Sequence, residues 1–299
     1  MERETTRNTK TVVIFVLCAL ALQGVFCLFF TTGALEKLFP LYVRSAAQEV
    51  TVGDHSYTEY FRLRNEAAEA EVIVVGVDFT SPTTSELLSD MIVSLKHDAN
   101  IGAVIVDAYG DAPSSVYAAE AVNSIMPGVG DFLCVQMREN YDVPKSYESF
   151  LNSINLLNLE YPPQKRMIGT PILDGGDHVA ALLQTAHQAY QESRRPVLLL
   201  TDATRLSLDD PLRVRAEAAA EEYLFIRCMY TNGVWDGVFS DNVPAVYLVE
   251  RDDLRLFDNL YSAASTFTDG ERREHSYSEV FSTEMFFVIT DAVNEEENT

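Results

Sequence analysis

Basic residues are scarce in this chain. Its 299 residues include 22 lysines and arginines against 45 aspartates and glutamates, which gives a formal net charge of −23. Because phosphates and anionic lipid headgroups repel such a surface, the charge argues against a nucleic-acid-binding protein and against a second, electrostatic contact with a membrane. Two interpretations remain: an acidic surface that keeps the protein soluble, or a surface that binds a cationic ligand or a protein partner.

Cysteine is also scarce, and its spacing excludes two classes of small domain. Of the 4 cysteines, Cys18 and Cys27 lie in a long apolar run near the N-terminus. The other two, Cys134 and Cys228, fit neither a disulfide framework nor the spacing of a zinc site. Both lie in apolar, strand-like surroundings, which favours two buried thiols, with a disulfide between them as the alternative.

The sequence lacks the common signatures of catalysis. It contains no Gly-x-Ser-x-Gly elbow, and Gly128 and Gly130 precede an apolar run, which is the wrong context for a phosphate-binding loop. Neither Cys134 nor Cys228 follows a helix start or a basic cluster that would make its thiol reactive. These absences favour a binding domain over an enzyme.

An uncharged apolar stretch near the N-terminus predicts one transmembrane helix over residues 11–32. Its core reads TVVIFVLCALALQGVFCLFF, about 20 residues, which is the length that crosses a bilayer. A cleaved signal peptide, the alternative, has a shorter apolar region of about 7–15 residues. Arg3, Arg7 and Lys10 make the preceding flank basic, which places residues 1–10 in the cytoplasm. We therefore expect a single-pass protein of the cell membrane whose C-terminal domain lies outside the cytoplasm.

The residues after this helix divide into three parts. Residues 33–70 read as helical and predict a stalk or an N-terminal helical layer. Residues 71–293 alternate short apolar runs with helical segments, and residues 294–299 form an acidic tail. Strands that are buried on both faces and alternate with helices are typical of a parallel sheet. The predicted fold class is α/β: a mostly parallel sheet covered by helices, preceded by one N-terminal transmembrane helix.

Within the α/β part, short runs rich in β-branched and aromatic residues predict the strands. They lie at Glu71–Val77, Ala103–Asp107, Phe132–Met137, Val197–Thr201, Tyr223–Met229, Ala245–Val249 and Met285–Thr290. Capping residues and helical spacing predict the helices. These lie at about 81–96, 114–126, 147–157, 177–193, 211–223 and 253–265.

Ligands of open α/β sheets bind beyond the carboxyl ends of the strands, so the polar residues at those positions are the candidate site. They are Asp78, Thr80, Ser81, Asp107, Asp111, Asp202, Thr204 and Arg205. Three of them, Asp78, Asp107 and Asp202, end different strands and would suit a divalent cation if their oxygens converged. The alternative is that each acid favours the N-terminus of the following helix through the helix dipole.

A second acidic group lies in a glycine-containing loop. Asp174, Asp177 and His178 belong to the sequence Asp-Gly-Gly-Asp-His, and together they are a weaker metal-site candidate. The alternative is that Asp177 is an ordinary helix N-cap followed by an exposed histidine.

The order of these motifs resembles one superfamily, that of the ChaN-type haem-binding lipoproteins, the TraB-type proteins and the erythromycin esterases. The resemblance covers residues 72–205. It depends on Gly76-Val-Asp78-Phe-Thr80-Ser, Val106-Asp107, Asp177-His-Val-Ala180 and Leu200-Thr-Asp-Ala-Thr204. It implies the superfamily's α/β fold and a site at the strand ends.

The sequence departs from the superfamily's pattern where the chemistry resides. The first motif of the superfamily carries Glu and His, where this chain has Asp78 and Thr80. Thr204 or Arg205 stands where a second histidine is expected. Both lost imidazoles would have supplied acid–base chemistry and metal binding, so the resemblance implies a degenerate, non-catalytic site.

Three functions follow from the sequence. The first is a membrane-anchored, extracytoplasmic α/β domain that acts as a binding or scaffold module with a degenerate ChaN/esterase-like site. The second is a hydrolase that uses the strand-end carboxylates and a divalent cation, which would activate water. The third is a solute-binding module, which requires two lobes.

Overall fold

A computed structural model describes most of the chain from residue 34 onward. The described residues are 23–24, 34–53, 69–173, 175–219, 222–230, 238–239, 244–250, 254, 266–268, 274–276, 283 and 285–290. Among them, no helix is both long enough and apolar enough to cross a membrane. The predicted transmembrane helix at 11–32, except for Gln23 and Gly24, and the acidic tail at 294–299 lie outside the described residues.

Helices and strands alternate through the domain. The helices are α1 (Ala34–Ala46), α2 (Pro82–Asp98), α3 (Ala112–Asn123), α4 (Gly130–Met137), α5 (Lys145–Glu160), α6 (His178–Ser193) and α7 (Pro211–Glu217), with 3₁₀ turns at Pro163–Lys165 and Ala203–Leu206. The strands are β1 (Gln48–Val50), β2 (Val72–Val77), β3 (Ala103–Asp107), β4 (Ile168–Gly169), β5 (Val197–Asp202), β6 (Tyr223–Tyr230), β7 (Ala245–Glu250), β8 (Thr266–Thr268), β9 (Glu274–Ser276) and β10 (Met285–Thr290).

One eight-stranded sheet organises the domain, in the order β1-β7-β10-β6-β2-β5-β3-β4. The six strands from β10 to β4 in this order run parallel to one another, and β7 is antiparallel to both β1 and β10. Strands β8 and β9 form a separate two-stranded ribbon. The mostly parallel α/β fold is therefore confirmed.

Helices cover both faces of the sheet. On one face, α2 to α5 pack against side chains such as Val75 and Leu200. On the other, α6 and α7 pack against Val74 and Leu199. Helix α1 extends this second layer over β7 and β10, where its Phe39 is fully buried. Central strands buried on both faces have no polar side to show, which is why their sequences are continuous apolar runs.

The predicted strand at Phe132–Met137 is wrong, because these residues belong to helix α4. Its inward residues Leu133, Cys134 and Met137 are buried, but Phe132 is 62% exposed and Val135 58% exposed. A helix that is apolar on both sides has the sequence of a buried strand, so its helical period is hidden. The strand that lies beside β3 is instead β4, which is only two residues long.

Other boundaries also differ from the prediction. Helix α3 runs over Ala112–Asn123 rather than the predicted 114–126, and the helix predicted at 211–223 ends at Glu217. Gln48–Val50, predicted as helical, pairs with β7, so this part of the predicted stalk belongs to the sheet. The helix predicted at 253–265 lies outside the described residues except for Leu254. Cys134 and Cys228 are buried and free, so the disulfide alternative is wrong.

Candidate functional site

The predicted strand-end residues do meet at one edge of the sheet. Strands β2, β5 and β3 are neighbours, and Val77 is in register with Asp202 while Asp107 is in register with Thr201. Asp78, Asp202 and Asp107 therefore follow one another along the carboxyl edge. This edge is where open α/β sheets bind ligands.

The centre of the site is a hydrogen-bonded pair, Asp107 and His178. Asp107 Oδ1 lies 2.8 Å from His178 Nε2, and Thr201 Oγ1 donates to Asp107 Oδ2 over 3.2 Å. The Asp107 side chain is fully buried, whereas that of His178 is 21% exposed. Since a carboxylate oxygen accepts, Nε2 carries a ring proton, and in the neutral imidazole Nδ1 is then the acceptor. Within the part of the chain that the structure describes, nothing bonds Nδ1.

Helix α6 brings His178 to this place. Asp177 is the N-cap, whose side chain accepts from Ala180 N at 3.1 Å, so His178 is the first helical residue. Arg215 Nη1 donates to Asp177 Oδ2 at 2.7 Å, and this bond together with the Ala180 N–H lowers the pKa of Asp177. The predicted N-cap is confirmed. The expected exposed histidine is wrong, because His178 turns inward to a buried acceptor.

A second carboxylate, Asp111, lies near His178 and carries an aromatic partner. It caps α3 by accepting from Ser114 N at 2.7 Å, and Tyr141 Oη donates to its other oxygen at 2.7 Å. Partial burial acts to raise the pKa of Asp111, but the bonds from Ser114 and Tyr141 and the nearby His178 lower it overall. Burial and the bond to Asp111 raise the pKa of Tyr141 to about 12. The phenol therefore stays a proton donor to Asp111 at neutral pH.

Aromatic rings form a wall beside Asp111. The rings of Tyr109 and Tyr141 have centroids 4.7 Å apart, and Tyr147 packs edge-on against Tyr109 at 6.0 Å. Phe79, directly after Asp78, packs edge-on against Tyr147 at 5.4 Å. Tyr109, Tyr141 and Phe79 are only partly buried, so the wall reaches the surface.

Asp78 and Asp202 form matching turns. Asp78 Oδ1 accepts from Thr80 N at 2.8 Å and from Thr80 Oγ1 at 2.7 Å. Asp202 Oδ1 accepts in the same way from Thr204 N at 2.8 Å and Thr204 Oγ1 at 2.5 Å. Thr80 and Thr204, each two residues after a strand-end aspartate, thus hold the two carboxylates. Ser81 caps α2 by accepting from Thr84 N at 3.1 Å, and it is buried.

Arg205 places a positive charge at the same carboxyl edge. It is partly buried on the 3₁₀ turn after β5, and a methyl group on Gly110 would lie 3.1 Å from its Nη2. Arg227 in β6 stabilises this turn, because its Nη2 donates to Leu206 O at 2.5 Å. A methyl group on Gly76 would lie 2.6 Å from Leu206 Cδ1, so only glycine in β2 lets the turn pack this closely.

The strand-end carboxylates do not form a metal site in this arrangement. Asp107 and Thr201 are in register and leave the same face of the sheet, so Asp202, one position later, leaves the opposite face. Among the described residues, no group of three or more His, Cys, Asp or Glu side chains is placed to hold a metal ion. Asp174 lies outside the described residues. We therefore derive no metal chemistry from Asp78, Asp107 and Asp202 or from Asp177 and His178.

Sequence reasoning missed the His178–Asp107 pair, Thr201 and Tyr141. The signal for the first was available: a helix that follows a strand starts at the carboxyl edge, where Asp107 also lies. The sequence hides this signal because the apolar run at residues 132–137 predicts the strand before α6, whereas that strand is the two-residue β4. No comparable signal pointed to Tyr141, which lies in the loop between α4 and α5.

No family model and no curated protein matches this chain in sequence. Among solved structures, a succinoglycan biosynthesis protein is similar with a TM-score of 0.50 at 9% identity, over 86% of this chain and 97% of that protein. A Bacillus cereus protein has a TM-score of 0.47 at 8% identity, over 85% of this chain and 97% of its own. The type III effector HopBA1 has 0.41 at 11% identity, over 77% and 92%. At this identity the first similarity supports the fold alone, and the two lower scores carry no argument.

Proposed function

We propose that this chain is a binding domain, held at the outer face of the cell membrane by residues 11–32, whose ligand carries a cationic group. The ligand lies at the carboxyl edge of the sheet, over the His178–Asp107 pair. In this proposal the chain is a divergent member of the ChaN, TraB and erythromycin esterase superfamily with a degenerate site. The observation that carries it is the set of partly exposed carboxylates at the edge that also holds the hydrogen-bonded pair of buried Asp107 and partly exposed His178.

The carboxylates at the carboxyl edge favour a ligand with a cationic group. Asp111 and Asp202 are each bound by N–H and O–H groups, and neither forms an ion pair with another described residue. Their negative charge is therefore directed to the edge rather than neutralised within it. A cationic group placed there would gain charge-assisted hydrogen bonds, which are about twice as strong as neutral ones.

The aromatic wall supports the same ligand class. Tyr109 and Tyr141 present ring surfaces next to Asp111, and a cation over such a ring gains about 0.5–2 kcal/mol. His178 Nδ1 adds one acceptor, and Arg205 adds donors for an anionic or carbonyl oxygen elsewhere on the ligand. An aromatic or aliphatic amine fits this set better than an anion.

We expect phenethylamine to bind the full-length protein in detergent more tightly than phenethyl alcohol or phenylacetate, as measured by calorimetry. Asp111→Asn should weaken the amine by about tenfold, because Asp111 lies near His178 and beside the Tyr141 ring, and the change removes its full charge while keeping the shape of the side chain. Glu120→Gln, on an exposed position of α3, is the matched control and should leave affinity unchanged. Equal binding of the three probes, or preference for phenylacetate, would sink the proposal.

A second candidate function, hydrolysis, is favoured by one observation, the bond between Asp107 and His178. A buried carboxylate that orients an imidazole is the arrangement of a general base, which would remove a proton from water attacking a bound ester. We expect His178→Gln to lower hydrolysis of p-nitrophenyl acetate by about 10²-fold if this function is present. His97→Gln, an exposed histidine on α2, is the control. Equal rates in both variants would remove the hydrolase candidate and leave the binding proposal untouched.

The solute-binding alternative has less support. Such modules need two lobes, whereas the described strands form one large sheet and a two-stranded ribbon. We do not propose it further.

A further inference from the structure

The amino edge of the sheet carries a cluster of cations, here called the amino-edge cluster: Lys96, Lys165, Arg166 and Arg195. Lys96 lies near the end of α2, Lys165 and Arg166 lie shortly before β4, and Arg195 lies shortly before β5. They are close in space: Lys96 is repelled by both Arg195 and Lys165, and Arg195 Nη2 donates to Arg166 O at 3.2 Å. The cluster is on the edge opposite to the candidate site.

The partners of the cluster are neutral. Lys96 Nζ donates to Ile101 O at 2.9 Å and to Asn100 Oδ1 at 3.4 Å, and Arg166 Nε donates to Tyr161 O at 3.0 Å. Within the described ranges, none of the four cations pairs with a carboxylate. Several cations elsewhere do so: Arg138 and Lys145 pair with Glu148, Arg213 with Glu217 and Arg215 with Asp177.

Such an arrangement is costly without an anion. Lys96 is only 3% exposed, and burial, with the repulsion from Arg195 and Lys165, lowers its pKa to about 8. The chain has 45 acidic and 22 basic residues, yet no described carboxylate pairs with these four cations. A bound anion would offset both the burial and the repulsion.

The cluster also retains the donors that an anion needs. Arg195 uses one Nη and Arg166 uses Nε, which leaves guanidinium N–H groups on both, and the exposed Lys165 adds its ammonium. Gly102 makes room for this: a methyl group there would lie 2.8 Å from Arg195 Cβ and 2.9 Å from its Nε. Guanidinium and ammonium groups on these neighbouring segments match the oxygens of a phosphate.

We propose that the amino-edge cluster binds a phosphate group, either free or on a small molecule or a lipid headgroup. The site is independent of the proposed function at the carboxyl edge, because it shares no residue with it. Because the chain as a whole is acidic and repels anions, a group of neighbouring cations is a favourable place for one to bind.

Calorimetry with inorganic phosphate, on the full-length protein in phosphatidylcholine nanodiscs at physiological salt, tests the proposal. We expect saturable binding that Lys165→Gln/Arg195→Gln weakens by at least about tenfold, since two charged partners are lost. Lys145→Gln/Arg215→Gln, which removes the same charge elsewhere, should bind like the wild type. Both double variants are first shown to unfold at the wild-type temperature. If Lys165→Gln/Arg195→Gln does not, Lys165→Gln/Arg166→Gln replaces it.

A second arm separates the sources of the phosphate. The detergent-solubilised protein is mixed with vesicles of phosphatidylcholine with or without phosphatidylglycerol. The site is assigned to a headgroup if the anionic vesicles capture the protein and inorganic phosphate does not bind. In that case Lys165→Gln/Arg195→Gln should abolish the capture, and Lys145→Gln/Arg215→Gln should keep it. Binding of inorganic phosphate assigns it to a free phosphate. Neither signal, or an equal loss in both doubles, overturns the proposal.

Discussion

Replacing Gly169 with alanine is expected to lower the free energy of unfolding by about 3 kcal/mol. The added methyl group would lie 2.5 Å from Ala119 O and 2.8 Å from Ala119 Cα. Both are backbone atoms of α3, so no side chain can move aside and the helix must shift from β4. The shift would also break the two bonds between Gly169 and Asn123, which join backbone and side chain at 2.9 and 2.7 Å.

The expected change can be measured by urea titration of the full-length protein in detergent, followed by circular dichroism. Gly176→Ala is the matched control, because a methyl group at Gly176 would meet nothing within 4 Å. It should change stability by less than about 0.5 kcal/mol. Equal stability of the two variants would show that α3 does not approach β4 as described. Because β4 leads to α6, this packing also determines where His178 lies.

Replacing Asp107 with alanine is the second change with a large expected effect, about 2–3 kcal/mol of stability. Asp107 is fully buried and accepts from both His178 and Thr201. Its removal leaves the buried Thr201 hydroxyl and the His178 ring without their acceptor, and it leaves a small cavity. The same urea titration measures the loss.

Asp202→Ala is the control for this change. Asp202 also ends a strand, but it is partly exposed, and its carboxylate accepts from Thr204 N and Oγ1 within its own turn. Its loss should cost about 1 kcal/mol or less. If the two alanine variants lose the same stability, the His178–Asp107 pair contributes no more to the free energy of unfolding than an ordinary strand-end turn. Asp107→Ala should also abolish amine binding, because His178 loses its orientation.

The parts of the fold that sequence could predict are those with an unambiguous period. The strands β2, β3 and β5 are short apolar runs buried on both faces, and helix α6 has a cap, a helical period and a defined end. Helix α4 was mistaken for a strand because its outer side, with Phe132 and Val135, is as apolar as its inner side. A two-residue strand such as β4 carries no period at all.

The part of the candidate site that lies at the carboxyl ends of the strands could be predicted from the sequence. The carboxyl-edge rule found Asp78, Asp107 and Asp202, and it placed them correctly on one edge. It could not predict which face each side chain takes, since this depends on a register between strands that are distant in sequence. The register directs Asp107 toward α6 and His178, and Asp202 away from them. The pairing therefore emerges only in three dimensions.

Nuclear magnetic resonance of the His178 ring tests the central claim most directly. In full-length protein labelled with ¹⁵N-histidine, we predict a ring N–H proton at Nε2 that is protected from exchange with water by Asp107, and that disappears in Asp107→Ala. Addition of phenethylamine should shift this signal saturably, whereas phenylacetate should not. An unprotected His178 ring, or a signal that phenylacetate shifts and phenethylamine does not, would contradict a cation-binding site built on the His178–Asp107 pair.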